Sequence, residues 1–172
     1  KAVPELAEIK AISMMLGGTI DVRMSEEGNV DRIEFAVGGG PGQIVLPAMF
    51  KDGVSVDRFD AQGRVSDRFS RVLLKNVTLA LGQPVITMSG LVDDVLGKGR
   101  FQIEAAVTNV PFNDLGRYWP HGLADGGRRW VLANMSDGAA KETRLTASGH
   151  LGLDGAEGTT LSSLQGTIDF SG

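Results

Sequence analysis

Residues able to do chemistry are sparse in this chain. It has two histidines, His121 and His150, and no cysteine, which excludes a thiolate nucleophile, a thiolate metal site and any disulfide. Ser148, His150 and Asp154 can be written as a hydrolytic triad, with Ser148 and His150 two apart and so on one strand face. The serine lacks the Gly-x-Ser-x-Gly turn that presents a nucleophile at the top of a sheet. The simpler reading makes both histidines surface or turn residues.

Asp93, Asp94 and Glu104 are the nearest candidates for the paired carboxylates of a glycosidase, which must face one cleft. Asp93-Asp94 reads more simply as a solvated turn, because no alternating ladder of calcium-loop carboxylates follows it. Gly38-Gly39-Gly40-Pro41-Gly42 has no Lys-Ser/Thr after it, so it is not a phosphate loop and reads as a mobile one. Arg128 and Arg129 beside Trp130 suit a cation–π contact or a lipid phosphate; the plainer reading solvates the arginines while the tryptophan packs inward. Asn76-Val77-Thr78 and Asn134-Met135-Ser136 fit the glycosylation pattern, which matters only in a eukaryotic secretory route. No catalytic residue, metal ligand set or cofactor emerges, and the chain is not read as an enzyme.

The elements that position these residues are strands. Of 172 residues, 24 are glycine, spread along the chain, which favours many turns over long helices. Charge is 17 basic against 21 acidic residues, a net of −4, which disfavours nucleic acid as a partner. No stretch approaches the roughly 18 apolar residues of a membrane-spanning helix. The chain opens on Lys1 and closes on Asp169-Phe170-Ser171-Gly172 inside an apparent strand. It is read as one segment, 1–172, of a longer protein whose anchor or export signal lies elsewhere.

Period-two alternation dominates. Ile20, Val22 and Met24 share one face; so do Ile33, Phe35 and Val37; Val77, Leu79 and Leu81; Phe101, Ile103, Ala105 and Val107; and Leu164, Ile168 and Phe170. Turn signals fall at 27–29, 38–42, 51–53, 62–63, 82–84 and 97–99. Roughly ten strands of about five to six residues follow, joined as an antiparallel meander. The meander is expected over 1–110, a helical insertion over 111–138 and returning strands over 139–172. Within the insertion, Asn113 is the expected cap of a first helix and Pro120 its stop. A second helix runs from Ala124 to Met135, with Trp130, Val131 and Met135 at helical spacing and Gly138 as a left-handed end. Two echoes stand out: Leu16-Gly17-Gly18-Thr19-Ile20-Asp21 returns as Leu164-Gln165-Gly166-Thr167-Ile168-Asp169, and Ile86-Thr87-Met88-Ser89-Gly90 as Leu145-Thr146-Ala147-Ser148-Gly149.

A continuous apolar face admits two architectures. In a closed β-sandwich it is the core of an interaction or scaffold module. In a sheet bent into an open trough it lines a groove for something greasy.

The stretch Asn109-Val110-Pro111-Phe112-Asn113-Asp114-Leu115-Gly116-Arg117-Tyr118-Trp119-Pro120, followed by Arg129-Trp130-Val131 and Asn134-Met135-Ser136-Asp137-Gly138, resembles the central signature of the large AsmA-like envelope proteins of the YhdP kind. Leu164-Gln165-Gly166-Thr167-Ile168-Asp169-Phe170 resembles the strand that follows in them. Upstream, Val56-Asp57-Arg58-Phe59 to Gly90 is similar in style only. The resemblance implies a mainly β chain, an extended antiparallel sheet curved into an open trough, with two short helices near 112–136. It implies a periplasmic location and tethering to the inner membrane through an anchor outside this segment. It implies conduction of phospholipid acyl chains between inner and outer membranes, with a closed-sandwich scaffold module of the cell envelope as the alternative. Tyr118, Trp119, Pro120, Arg129 and Trp130 map to its signature positions and take a structural role, the helices plugging or capping the trough. Ile20, Val22, Ile33, Phe35, Val77, Leu79, Ile86, Met88, Phe101, Ile103, Leu145 and Ile168 are the residues expected to face lipid tails. Phe101→Asp or Leu79→Asp is expected to block lipid binding without unfolding the chain.

Overall fold

A computed structural model describes residues 12–45, 53–119, 124–152 and 155–171. Nine strands form one antiparallel sheet that does not close into a barrel. They are β1 (Ile12–Met24), β2 (Val30–Ile44), β3 (Val54–Val56), β4 (Arg58–Ser66), β5 (Arg71–Ala80), β6 (Val85–Asp93), β7 (Arg100–Pro111), β8 (Ala139–Gly152) and β9 (Gly155–Ser171). Their order is β1-β2-β4-β5-β6-β7-β8-β9, with β3 paired to the far end of β2. A mainly β antiparallel meander is what the alternation foretold and an open sheet is what the resemblance implied; nine strands among the described residues stand where roughly ten were expected. Two sheets closed over a dry core are not found among the described residues.

Tight turns make the meander. Gly28, Gly82 and Gly99 take left-handed backbone between consecutive strands, where a side chain is strained. Two turn readings are corrected. Gly38–Gly42 is no loop: it lies inside β2, which holds β1 on one side and β4, then β3, on the other. A Cβ at Gly39 would stand 2.4 Å from the carbonyl oxygen of Met15, and one at Gly42 2.3 Å from the Met14 Cβ. These glycines permit close strand approach rather than reversal. Gln62-Gly63 likewise sits within β4, at a register shift against β5. A Cβ at Gly63 would meet the Phe35 ring at 2.5 Å, so this glycine makes room for that ring.

The link from β7 to β8 is helical. A 3-10 turn (Phe112–Asp114) leads into α1 (Leu115–Tyr118), and α2 (Asp125–Asn134) follows. Asn113 is not the cap expected; it lies within the 3-10 turn, and no side chain caps either helix. Pro120 and His121 lie outside the described residues, as does Asp154. Gly138 is left-handed but stands past the end of α2, whose last cap is Met135; its carbonyl instead accepts the Phe112 N–H.

The core is small and lies at one end of the strands. Val54, Val56 and Leu81 form one cluster; Val110, Phe112 and Ala140 form another. Tyr118 packs on both, and its hydroxyl donates to the Leu81 carbonyl at 3.3 Å. Leu115 and Met135 complete the second cluster. Gly126 and Gly127 weaken the first turn of α2. The helix is held by Met135, which packs on the second cluster, and by Arg128, whose Nη2 donates to the Gly116 carbonyl of α1 at 3.2 Å.

Candidate functional site

The cross-strand register brings the apolar residues of eight strands into four rows on one face. Residues directly opposite in an antiparallel pair project to the same side. One row runs Val22, Ile33, Val65, Val72, Val92, Phe101, Gly149, Leu161. The next runs Ile20, Phe35, Gly63, Leu74, Gly90, Ile103, Ala147, Leu164. Gly18, Val37, Ala61, Val77, Met88, Ala105, Leu145 and Gly166 form the third. Leu16, Gly39, Phe59, Leu79, Ile86, Val107, Thr143 and Ile168 form the fourth. Thr143 is the one polar side chain in these rows. The twelve residues read from the sequence as lipid-facing all fall within them.

Two register shifts leave this face intact. In β5, Leu74 and Val77 oppose Gly90 and Met88, so one surplus residue is absorbed between them. In β9, Leu161 and Leu164 oppose Gly149 and Ala147 in the same way. The sequence reading missed Phe59, Val65, Val72, Leu74 and Val92. The Lys75 bulge puts Val72 and Leu74 out of step with Val77 and Leu79, and a template that skips one residue at a bulge recovers them; Phe59, Val65 and Val92 keep the period, broken only by the missing side chains of Gly63 and Gly90.

Among the described residues no second layer covers the face. Strands make substantial contact only with their neighbours in the sheet. Exposure falls inward from the edge: Ile20 is 70% exposed, whereas Val77 is 8% and Phe101 6% exposed. Most of the others, Ile33, Phe35, Leu79, Ile86, Met88, Ile103 and Leu145 included, are half-buried. The helices lie over the fourth row and beyond, where Phe59, Leu79 and Ile86 join the cluster under Tyr118. They cover one rim and leave the remaining rows open.

The opposite face is polar and carries ion pairs: Arg32 with Glu34, Lys75 with Glu34, Arg58 with Asp60, Arg71 with Asp93, and Arg144 with Glu142. The Arg71 guanidinium is held above its usual range first by the hydrogen bond it donates to Asp93, then by the charges of Asp93 and Asp67. Two broad depressions cross this face between β5 and β9, lined by Lys75, Ser89, Glu104, Arg144 and Thr146 among others. Glu104 is the only carboxylate in either, and Asp93 is held by Arg71 instead. The glycosidase pair is therefore not brought together. Ser148 and His150 do share this face, but the Ser148 hydroxyl is bonded to that of Ser163 at 2.8 Å. No group of three His, Asp or Glu side chains suits a metal ion among the described residues.

The signature residues divide. Tyr118 packs on both clusters, and Trp119 is half-buried. Trp130 does not pack inward: it is 62% exposed, with Arg129 beside it also exposed, while Val131 is half-buried and Met135 packs on the second cluster. The cation–π contact found is Arg117 over the Tyr118 ring, 5.6 Å from its centroid. Among the described residues no helix is long and apolar enough to cross a membrane. No family model, no curated protein and no solved structure matches this chain.

Proposed function

We propose that this chain binds phospholipid acyl tails on the four apolar rows and passes them along the sheet, as a segment of an AsmA-like protein of the YhdP kind. In this reading it works in the periplasm of a two-membrane envelope, tethered to the inner membrane through another part of the protein. The observation that carries it is the uncovered face: eight strands contribute side chains to it, one of them polar, and no layer covers it among the described residues. Burying tail surface there yields about 25 cal/mol per Å². An open side leaves the charged head group in water, avoiding the cost of burying it. Across the eight-strand path the face measures about 34 Å at ~4.8 Å per strand. Apart from Thr143 the rows offer no polar side chain, so a tail is held by area and slides. Direction and driving force come from elsewhere.

The test is native mass spectrometry of the purified chain, read for retained phospholipid. Phe101 is a poor site for a blocking charge, because it is buried and lies against Gly149. Leu79 is also unsuitable, because it belongs to the cluster under Tyr118. Met88 and Leu145 are half-buried in the third row, away from the helices. Met88→Asp and Leu145→Asp are expected to keep the strand signal in circular dichroism and to lose the lipid. Retention of lipid by both folded variants, or no lipid on the parent chain, refutes the assignment.

A further inference from the structure

The two ends of the apolar rows, taken along the strands, are unlike. At the helical end, Phe59, Leu79 and Ile86 of the fourth row pack with Val54, Val56 and Leu81 under Tyr118, and Val107 packs with Val110, Phe112 and Ala140. That end is shut by apolar side chains. At the other end the first row joins neither cluster, and the chain turns between β1 and β2, β4 and β5, and β6 and β7. Glu26, Glu27, Asp67, Arg68, Asp94 and Lys98 stand exposed on these turns, with Phe69 and Leu96 exposed beside them. The distance between the ends matches a lipid tail. In β7 the rows run from Phe101 to Val107 without a register shift against β6. Those six steps span about 20 Å at ~3.4 Å each. The hydrocarbon core of a bilayer is about 30 Å thick and two tails deep, so one tail spans about 15 Å.

We infer that a phospholipid lies along the strands, its tail ends against the helical link and its head group at the turns. This placement rests on the lipid-binding reading and adds which way round the lipid sits. A phospholipid has one end that gains by leaving water and one that is costly to take out of it. Only this orientation satisfies both. Reversed, the charged head would press on the cluster of Val56, Leu81 and Tyr118. Turned across the strands, head and tail would rest on the same apolar rows, and the head would have to lift off them. Exposed side chains of both signs at the turns suit the phosphate and any cationic group of a head. Tyr118 and α1 are then positioning residues, a stop against which the tails end. Movement stays along the sheet, from strand to strand, with the head following the line of turns.

Trp119 and Trp130, the two tryptophans of the chain, both lie in the helical link and supply a reporter there. Trp130→Phe removes the exposed one and leaves Trp119, half-buried next to Tyr118. The full chain is loaded with phosphatidylcholine carrying a doxyl spin label, a short-range quencher, either near the tail end or near the head group. Native mass spectrometry counts the lipid retained. Trp119 fluorescence is expected to fall several-fold more with the tail-end label. The turn end is read by Leu151→Trp in the Trp119→Phe/Trp130→Phe background. Leu151 is exposed, two residues beyond Gly149 of the first row, and a Cβ at Gly99 would stand 3.0 Å from its own Cβ. There the head-side label is expected to quench more strongly. Each variant is checked for parental circular dichroism, and Trp119 alone decides if the Leu151 variant does not fold. Equal quenching of Trp119 by the two retained labels, none at all included, overturns the orientation and leaves lipid binding standing. A head-side preference at Trp119, or a tail-end preference at both reporters, does the same. Failure to retain either labelled lipid overturns the lipid-binding reading and the orientation together.

Discussion

The covered rim and the open rows of this sheet are made from the same residues and behave as different materials. Val56 and Phe112, under or beside α1, are 1% and 5% exposed. Ile103 and Leu145, one or two rows away, are half-buried on the same sheet face. Side-chain chemistry does not separate them; the seventeen helical residues of the link do. A helix with two glycines in its first turn and no side-chain cap would be marginal alone. It is kept in place by Met135 and Arg128, while Leu115 and Tyr118 of α1 make core of what they cover. What the helices leave uncovered is free to be a surface for something else.

Substitutions on either side of that boundary sharpen the contrast. Phe112→Ala, at the covered rim, is expected to cost about 3–5 kcal/mol, read by urea denaturation, because the aromatic leaves a cavity between α1 and β8. Gly63→Leu is expected to cost about 1–3 kcal/mol by overpacking. The Leu73 carbonyl stands 2.6 Å from the position of its Cβ, so Phe35→Ala does not restore the loss. Leu145→Ala, in the open rows, is expected to cost below about 1.5 kcal/mol, less than the 2–5 usual for a buried leucine. An equal loss at Leu145 and Phe112 would show that the open rows are a closed core after all. Trp130→Ala and Ile20→Ser are expected to move the unfolding midpoint by an amount equivalent to about 0.5 kcal/mol or less, since both side chains are exposed.

The legible part of this molecule was its alternation. Ile33-x-Phe35-x-Val37 and Phe101-x-Ile103-x-Ala105-x-Val107 announce their face directly, because a half-buried strand writes its period into the sequence. Glycine was the residue that misled. At Gly28, Gly82 and Gly99 it turns the chain; at Gly39, Gly42 and Gly63 it lets a neighbouring backbone or ring come close within a strand. Both uses exploit the missing Cβ, and a sequence does not say which. The helices were legible in place but not in detail. Trp130 sits at helical spacing with Val131, yet adjacent helix positions point about 100° apart, and Val131 is the half-buried one. The uncovered state of the face had no signal in the sequence, because an alternating strand looks the same whether or not another layer lies on it.

The bulge at Lys75 has a meaning for how such a chain can change length. Because Leu74 and Val77 keep the same side across a surplus residue, β5 already contains a removable link. Loss of one residue there returns the strand to plain alternation with every greasy group still on its side. Loss of one residue from β7, whose ladder to β6 runs unbroken from Arg100 to Thr108, would turn half the strand inside out. Insertions and deletions therefore meet unequal tolerance along neighbouring strands, and the irregular one is the forgiving place.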